Sequence, residues 1–159
     1  MKPEFICTNH REWLLERPTE AFNWWEKSFD AGKSYQEMKL WEESVRPLGC
    51  AFDAATICIE QKKVIDSGLI DYFSRTAQCL VFSLLKIDQL AVAQRIVSGV
   101  QHFVKSLGAQ VFDRQKMMDM QRKLHVFLAA YSPIDTEHSD QTQLSIRDFT
   151  FSDSMVSIH

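Results

Sequence analysis

The hydrophobic residues of this chain recur at helical spacing over most of its length. Prolines fall at positions 3, 18, 47 and 133, so the stretch 48–132 contains no proline to break a helix. Apolar residues at intervals of three and four throughout that stretch predict helices rather than strands. The pattern therefore predicts an all-α fold, with a single helical domain over 1–131 built as a bundle or short stack of about seven helices.

Breaker residues and capping signals set the predicted helix boundaries. A proline disfavours helical backbone in the residue before it, so Pro18 and Pro47 are each expected to end a helix. Gly32 and Gly108 are placed as the first residue beyond a helix, where glycine is favoured. The predicted helices cover 8–17 or 9–17, then 20–31, 35–46, 48–63, 68–86, 88–107 and 113–131.

The width of the apolar face separates central helices from surface helices. Helices 88–107 and 113–131 each have one apolar stripe opposite a polar side, which is typical of helices at the surface. Helices 48–63 and 68–86 have apolar residues over about half of their circumference or more. We therefore expect these two helices to form the centre of the domain.

The composition changes after Tyr131. The segment 132–159, which we name the acidic tail, has five acidic residues and one arginine, a net charge of -4 in a chain of net charge -3. Its Ser, Thr, Asp and Gln content favours a polar, disordered C-terminal tail. A turn at Arg147-Asp148 would instead form a β-hairpin that places four apolar side chains on one face. They are Leu144, Ile146, Phe149 and Phe151.

The net charge, the length of the apolar stretches and the cysteine spacing argue against several classes of protein. A net charge of -3 provides no large cationic field, so we expect no binding to nucleic acid or to a membrane surface. The longest apolar stretch, 79–85, is far shorter than the ~20 residues of a membrane span. The four cysteines have no C-x-x-C spacing and are expected to be free thiols. These features favour a cytoplasmic protein.

No catalytic, cofactor or metal motif emerges from the spacing of polar residues. Gly32-Lys33-Ser34 is similar to the end of a phosphate-binding loop, but Lys27 stands where that motif requires its first glycine. The five histidines are scattered without metal-ligand spacing. There is also no G-x-S-x-G sequence for a nucleophile elbow. We therefore expect no catalytic, cofactor-binding or metal-binding residue, and a protein that is not an enzyme.

The tryptophans provide the strongest functional signal, because all four lie within the first 41 residues. On helix 20–31, Phe22, Trp25 and Phe29 share one stripe and Trp24 points away from it. Either this helix lies between two neighbours, or Trp24 is a partly exposed anchor for another protein. The predicted partner-binding residues are Trp24, Leu144, Ile146, Phe149 and Phe151.

The run Arg17-Pro18-Thr19-Glu20-Ala21-Phe22-Asn23-Trp24-Trp25 resembles the P-x-E-A-x-x-W motif that opens an uncharacterised, mostly helical bacterial family. The resemblance extends loosely over 17–108, through the order of the helices and the later Trp41. Some members of that family are encoded near type VI secretion genes. The resemblance implies a helical fold and a genomic neighbourhood, and it carries no catalytic residue to this chain.

Together these observations predict a non-catalytic protein–protein interaction protein: an adaptor, an accessory protein or an immunity-type partner. The expected partner is another protein. The sequence does not decide whether the protein also forms a homo-oligomer. One alternative is a small helical enzyme or ligand-binding module with a pocket between helices 48–63 and 68–86. A second is a DNA-binding regulator, for which the candidate basic residues are those of helix 113–131 and Lys62-Lys63 before helix 68–86.

Overall fold

The computed structural model describes residues 4–62, 64–108 and 113–131. Within these ranges the chain forms helices and no β-strand, which confirms the all-α prediction. The described residues contain six helices where seven were predicted. They are α1 (Thr8–Leu15), α2 (Pro18–Glu37), α3 (Trp41–Glu60), α4 (Ser67–Lys86), α5 (Leu90–Leu107) and α6 (Arg114–Ala130).

The helices pack mainly on their neighbours in sequence. The most extensive contact joins α2 to α3, followed by that of α3 with α4. The other substantial contacts join helices that are adjacent in the sequence or separated by a single helix. The fold is therefore a short stack of helices. As predicted from their broad apolar faces, α3 and α4 contribute most of the buried side chains.

The predicted helix 35–46 is wrong, because its first residues continue α2 and its last begin α3. Gly32 lies inside α2, where a β-carbon would stand 2.4 Å from Cγ of Leu48. This glycine therefore allows α2 and α3 to approach closely and does not end a helix. Pro47 lies inside α3, where the packing of a heavily buried helix outweighs the hydrogen bond that proline removes.

The turn between α2 and α3 is instead made by residues with no turn signature. Lys39 has a φ of 58°, in the left-handed region. Its N–H donates to the carbonyl of Gln36, and the N–H of Leu40 donates to the carbonyl of Tyr35, both at 2.9 Å. This pair of bonds is a Schellman motif, which ends α2 without a glycine.

The end of α4 has the same motif. Asp88 has a φ of 57°, and the N–H of Gln89 donates to the carbonyl of Leu84 at 2.8 Å. Asp88 therefore ends α4, whereas the sequence predicted that it opens the next helix. Gly108, with a φ of 50°, follows the last residue of α5 as predicted.

Aromatic side chains fill the core between the helices. Phe52 of α3 stacks on Phe73 of α4, with ring centroids 5.6 Å apart. Trp25 of α2 is fully buried, stacks on Tyr72 at 4.3 Å and donates its Nε1–H to Oγ1 of Thr76 at 2.9 Å. All six helices contribute buried side chains to this one core.

The acidic tail, its predicted hairpin and the predicted domain boundary after residue 131 lie outside the described residues.

Candidate functional site

Trp24 and Trp25 point to different sides of α2, about 100° apart around its axis. Trp25 faces α4, whereas the half-buried Trp24 packs edge-on against His10 of α1, with ring centroids 4.3 Å apart. Because α2 also contacts α1, α3 and α4, it lies between neighbours, which is the first of the two predicted arrangements. Trp24 nevertheless keeps part of its surface exposed, at the wall of a groove.

This groove, which we name the α2–α3 groove, has a volume of about 630 Å³ and opens to the surface. Its walls combine apolar side chains with exposed charged side chains of both signs. The apolar wall residues are Trp24, Ala31, Tyr35, Pro47 and Cys50, and the charged ones are Lys27, Glu42, Glu43 and Arg46. Protein-binding surfaces also combine apolar side chains with charged ones.

The indole N–H of Trp24 differs from that of Trp25 in its hydrogen bonding. Its Nε1 atom is buried and has no hydrogen-bond acceptor among the described residues. A buried donor without an acceptor costs about 1–3 kcal/mol. By contrast, the neighbouring Trp25 donates to Thr76.

The Cys50 end of the groove is bordered by the segment that precedes α1. We name residues 4–7 the N-terminal strap, because they lie across α3. Main-chain N–H groups of Phe5 and Ile6 donate to one carboxylate oxygen of Asp53, at 2.7 and 3.0 Å. The ring of Phe5 covers Gly49, where a β-carbon would stand 2.2 Å from it. The Cys50 thiol lies 3.7 Å from the Phe5 carbonyl oxygen.

The strap was missed by sequence reasoning, although Asp53 provides a signal for it. Asp53 is a carboxylate within the most apolar face of a central helix and is only 1% exposed. Because a buried charge needs hydrogen-bond donors, its position implies that another segment covers it. The sequence does not show which segment that is.

The predicted ligand pocket corresponds to the interface of α3 and α4. That interface contains the stacked rings of Phe52 and Phe73, and Cys58 and Cys79 are buried in their helices. Burial raises the pKa of Cys58 to about 11 and also raises the pKa of Cys79. Both thiols therefore stay protonated near neutral pH, which disfavours a nucleophilic role.

A second groove, of about 510 Å³, lies where α1, the end of α3 and α5 meet. Its walls are polar and include Arg11, Glu60, Arg95 and His102. The last three of these side chains are exposed to solvent. An acid–base pair requires an environment that separates two pKa values, and exposed side chains do not provide one.

The basic residues of α6 were the candidates for DNA binding, and two of the four form ion pairs with carboxylates. Nζ of Lys116 lies 2.6 Å from a carboxylate oxygen of Asp71, and Arg122 lies 3.2 Å from that of Asp119. Arg114 and Lys123 have no ion pair within the described ranges and are exposed. Nine positions apart, these two cations lie on opposite sides of α6 and do not form one basic surface.

Over the described part of the chain, no three His, Cys, Asp or Glu side chains are grouped so as to hold a metal ion. Among these residues, no helix has both the length and the apolar content needed to cross a membrane. No family model matches the chain, and neither a curated protein nor a solved structure matches it.

Of the five predicted partner-binding residues, the structure describes one. Trp24 lines an open groove, as described above. The other four, Leu144, Ile146, Phe149 and Phe151, lie outside the described residues.

Proposed function

We propose that this protein is a non-catalytic interaction protein that binds another protein through the α2–α3 groove. The observation that carries the proposal is the half-buried Trp24 in the wall of an open groove of about 630 Å³. Tryptophan is enriched at binding hot spots, because it buries a large area and retains a polar N–H group. Trp24 is the proposed anchor of the complex.

The unused hydrogen-bond donor of Trp24 supports this role. In the complex we propose, the indole ring turns so that this buried Nε1 meets the groove and donates to a main-chain carbonyl of the bound polypeptide. The hydrogen bond would relieve the cost of the buried donor in the free protein. The complex would therefore gain a hydrogen bond as well as apolar burial.

The charged rim supports a polypeptide partner of mixed charge. Lys27 and Arg46 are exposed at the groove, as are Glu42 and Glu43, so the rim carries no net charge. Such a rim favours a specific orientation of the partner through local charge pairs, without a general preference for anions.

The proposal also states which kind of interaction protein this is and in which cell compartment it acts. We place the protein in the bacterial cytosol as an adaptor, an accessory protein or an immunity-type partner, with a link to a secretion system that rests on the family resemblance. Four free thiols support a reducing compartment. Leu144, Ile146, Phe149 and Phe151 of the acidic tail are proposed as further partner contacts.

The decisive experiment begins with affinity purification of the full chain from its native host, and identification of the captured protein by mass spectrometry. The dissociation constant is then measured with purified components by calorimetry. Trp24→Ala should weaken binding at least tenfold, with the helical circular dichroism unchanged. The matched control is Trp13→Ala, which removes a 41% exposed tryptophan from α1, outside the groove.

A rim variant keeps the experiment informative if Trp24→Ala lowers stability. Arg46→Glu changes an exposed side chain at the groove and should weaken binding without affecting the fold. If Trp24→Ala and Arg46→Glu both fold and bind as tightly as the parent chain, the groove is not the binding site.

A further inference from the structure

One row of residues along α6 alternates positive and apolar side chains that face solvent. Arg114, Met118, Arg122 and Val126 follow one another at intervals of four, so they form a single ridge on the helix surface. Met118 is 58% exposed and Val126 is 59% exposed. Met118 and Val126 are thus the two large apolar side chains that α6 exposes on this ridge.

A hollow continues this ridge at the start of α6. It has a volume of about 230 Å³ and is lined by side chains from α5 and α6, among them Val104, Met117 and Met118. A cavity of about 150 Å³ is sufficient for a benzene ring, so this hollow is large enough for one phenyl side chain. We name the ridge and the hollow together the α6 face.

The charges around the hollow are positive and unpaired. Lys105 and Arg114 both line it, and neither has a carboxylate partner among the described residues. Over its whole length α6 has four basic residues and one acidic residue, Asp119. Lys116 and Arg122 are paired with Asp71 and Asp119, so among the described residues Arg114 and Lys123 are the basic residues of α6 without an ion pair. The α6 face therefore fits a segment that combines acidic and aromatic side chains.

The sequence that follows α6 has this composition. The acidic tail begins at Ser132, one residue after Tyr131, and has a net charge of -4. Phe149 stands directly after Asp148, and Phe151 is two residues before Asp153. Each aromatic side chain that would fit the hollow is thus accompanied by a carboxylate that would face Lys105 or Arg114.

The chain is long enough to reach back along α6. From Tyr131 to Arg114 the helix rises by about 26 Å, at about 1.5 Å per residue. The 17 residues from 132 to 148 can extend over as much as about 56 Å. The extended length therefore exceeds the length of the helix, so Phe149 can reach the hollow even after the chain has turned back at the end of α6.

We propose that the α6 face binds the acidic tail of the same molecule, with one phenylalanine of the tail in the hollow between α5 and α6. This inference goes beyond the proposed function, because it concerns α6 and does not require the α2–α3 groove. It has a consequence for that function. A partner that also contacts Leu144, Ile146, Phe149 and Phe151 must first displace the tail from α6.

Site-specific photo-crosslinking of the full chain tests the proposal. A benzophenone amino acid replaces Met118, the protein is irradiated at low concentration, and crosslinked peptides are identified by mass spectrometry. We expect crosslinks to residues 132–159 within the monomer band. The matched control carries the same probe at Val64, which is 65% exposed and lies in the α3–α4 connection.

Charge reversal then tests the electrostatic part of the proposal. The double variant Lys105→Glu and Arg114→Glu should reduce the tail crosslinks at position 118 at least fivefold, with the circular dichroism unchanged. Glutamate at Arg114 suits the first turn of a helix, so the fold should tolerate it. Added salt should also weaken the crosslinking.

Three outcomes would overturn the proposal. In the first, position 118 gives no more tail crosslinks than position 64. In the second, the tail crosslinks occur only in covalent dimers, which would mean that the α6 face binds a second copy. In the third, charge reversal leaves the crosslinks unchanged. A failure of the groove variants to affect partner binding is a separate result and leaves these outcomes intact.

Discussion

The carboxylate of Asp53 in α3 accepts a hydrogen bond from the main-chain N–H of Phe5, 48 positions earlier in the chain, at 2.7 Å. A second bond from Ile6, at 3.0 Å, completes the attachment of the N-terminal strap to the helical stack. One buried side chain thus fixes a segment that has no helical structure of its own.

Replacement of this carboxylate should detach the strap. Hydrogen bonds to a charged group contribute about 1.5–3 kcal/mol, so Asp53→Asn should lower the free energy of unfolding by about 2 kcal/mol. Hydrogen exchange at the amides of Phe5 and Ile6 should become faster. Urea denaturation and hydrogen–deuterium exchange measure the two effects. Glu60→Gln, at an exposed position of the same helix, is the control and should change stability by less than about 0.5 kcal/mol. Unchanged exchange in Asp53→Asn would contradict this account.

Gly32→Ala tests the close approach of α2 and α3. A β-carbon at position 32 would stand 2.4 Å from Cγ and 3.2 Å from the main-chain nitrogen of Leu48. Overpacking costs about 1–3 kcal/mol, whereas alanine gains at most about 1 kcal/mol in helix propensity. We therefore expect net destabilisation in urea denaturation. Gly68→Ala is the control, because its nearest neighbour would be 3.4 Å away, and its stability should be unchanged or slightly higher. An increase in stability for Gly32→Ala would show that the helices are not in contact there.

Lys39→Gly should stabilise the protein. Lys39 has a φ of 58°, and the left-handed conformation costs an ordinary residue about 1–2 kcal/mol, whereas glycine adopts it readily. We expect an increase of about 1 kcal/mol in the free energy of unfolding, measured by urea denaturation. Asp88→Gly should give a smaller gain, because aspartate tolerates this conformation better. Lys33→Gly, inside α2, should instead be destabilising. A loss of stability in Lys39→Gly would argue against the Schellman turn.

The buried thiols predict a loss of stability at alkaline pH. Burial raises the pKa of Cys58 from 9.0 to about 11, so above pH 9 this thiol ionises in the unfolded chain and stays protonated in the folded one. The folded state then binds more protons, and stability falls as the pH rises from about 9 to about 11, by up to about 1.4 kcal/mol per pH unit for each such thiol.

The pH prediction is checked by urea denaturation at pH 8, 9.5 and 10.5. Cys58→Ala should show a shallower decline than the parent chain, because it removes one ionising group. Cys7→Ala removes an exposed thiol and serves as the control. Equal declines for the parent chain and Cys58→Ala would contradict the assigned pKa.

The helices that were predicted correctly are those whose boundaries depend on local signals. Asp66 and Asp113 accept from the N–H groups of Leu69 and Lys116, and so cap α4 and α6 close to where the pattern placed their starts. At the boundary of α2 and α3 the local signals gave the wrong answer. Gly32 allows α2 to pack closely against Leu48 of α3, and the sequence around position 32 does not show that this helix is its neighbour.

The candidate site was predictable only in part. Counting 100° per residue was enough to separate Trp24 from the stripe of Trp25. The groove itself depends on which residues of α3 lie beside Trp24. Pro47 was assigned to a helix boundary, because the pattern of a single helix contains no information about its neighbour. The strap that borders the groove depends on a contact across 48 positions.

The pairing of α2 with α3 also has a kinetic consequence. Two helices of 20 residues are joined by the three residues Met38, Lys39 and Leu40, so their contacts close only a short loop. Short-range contacts lose little chain entropy and form early, whereas contacts between distant segments form late. The α2–α3 hairpin should therefore be the nucleus of folding. Attachment of residues 4–7 to Asp53 should be among the last events, so the groove would assemble before the strap comes to border it.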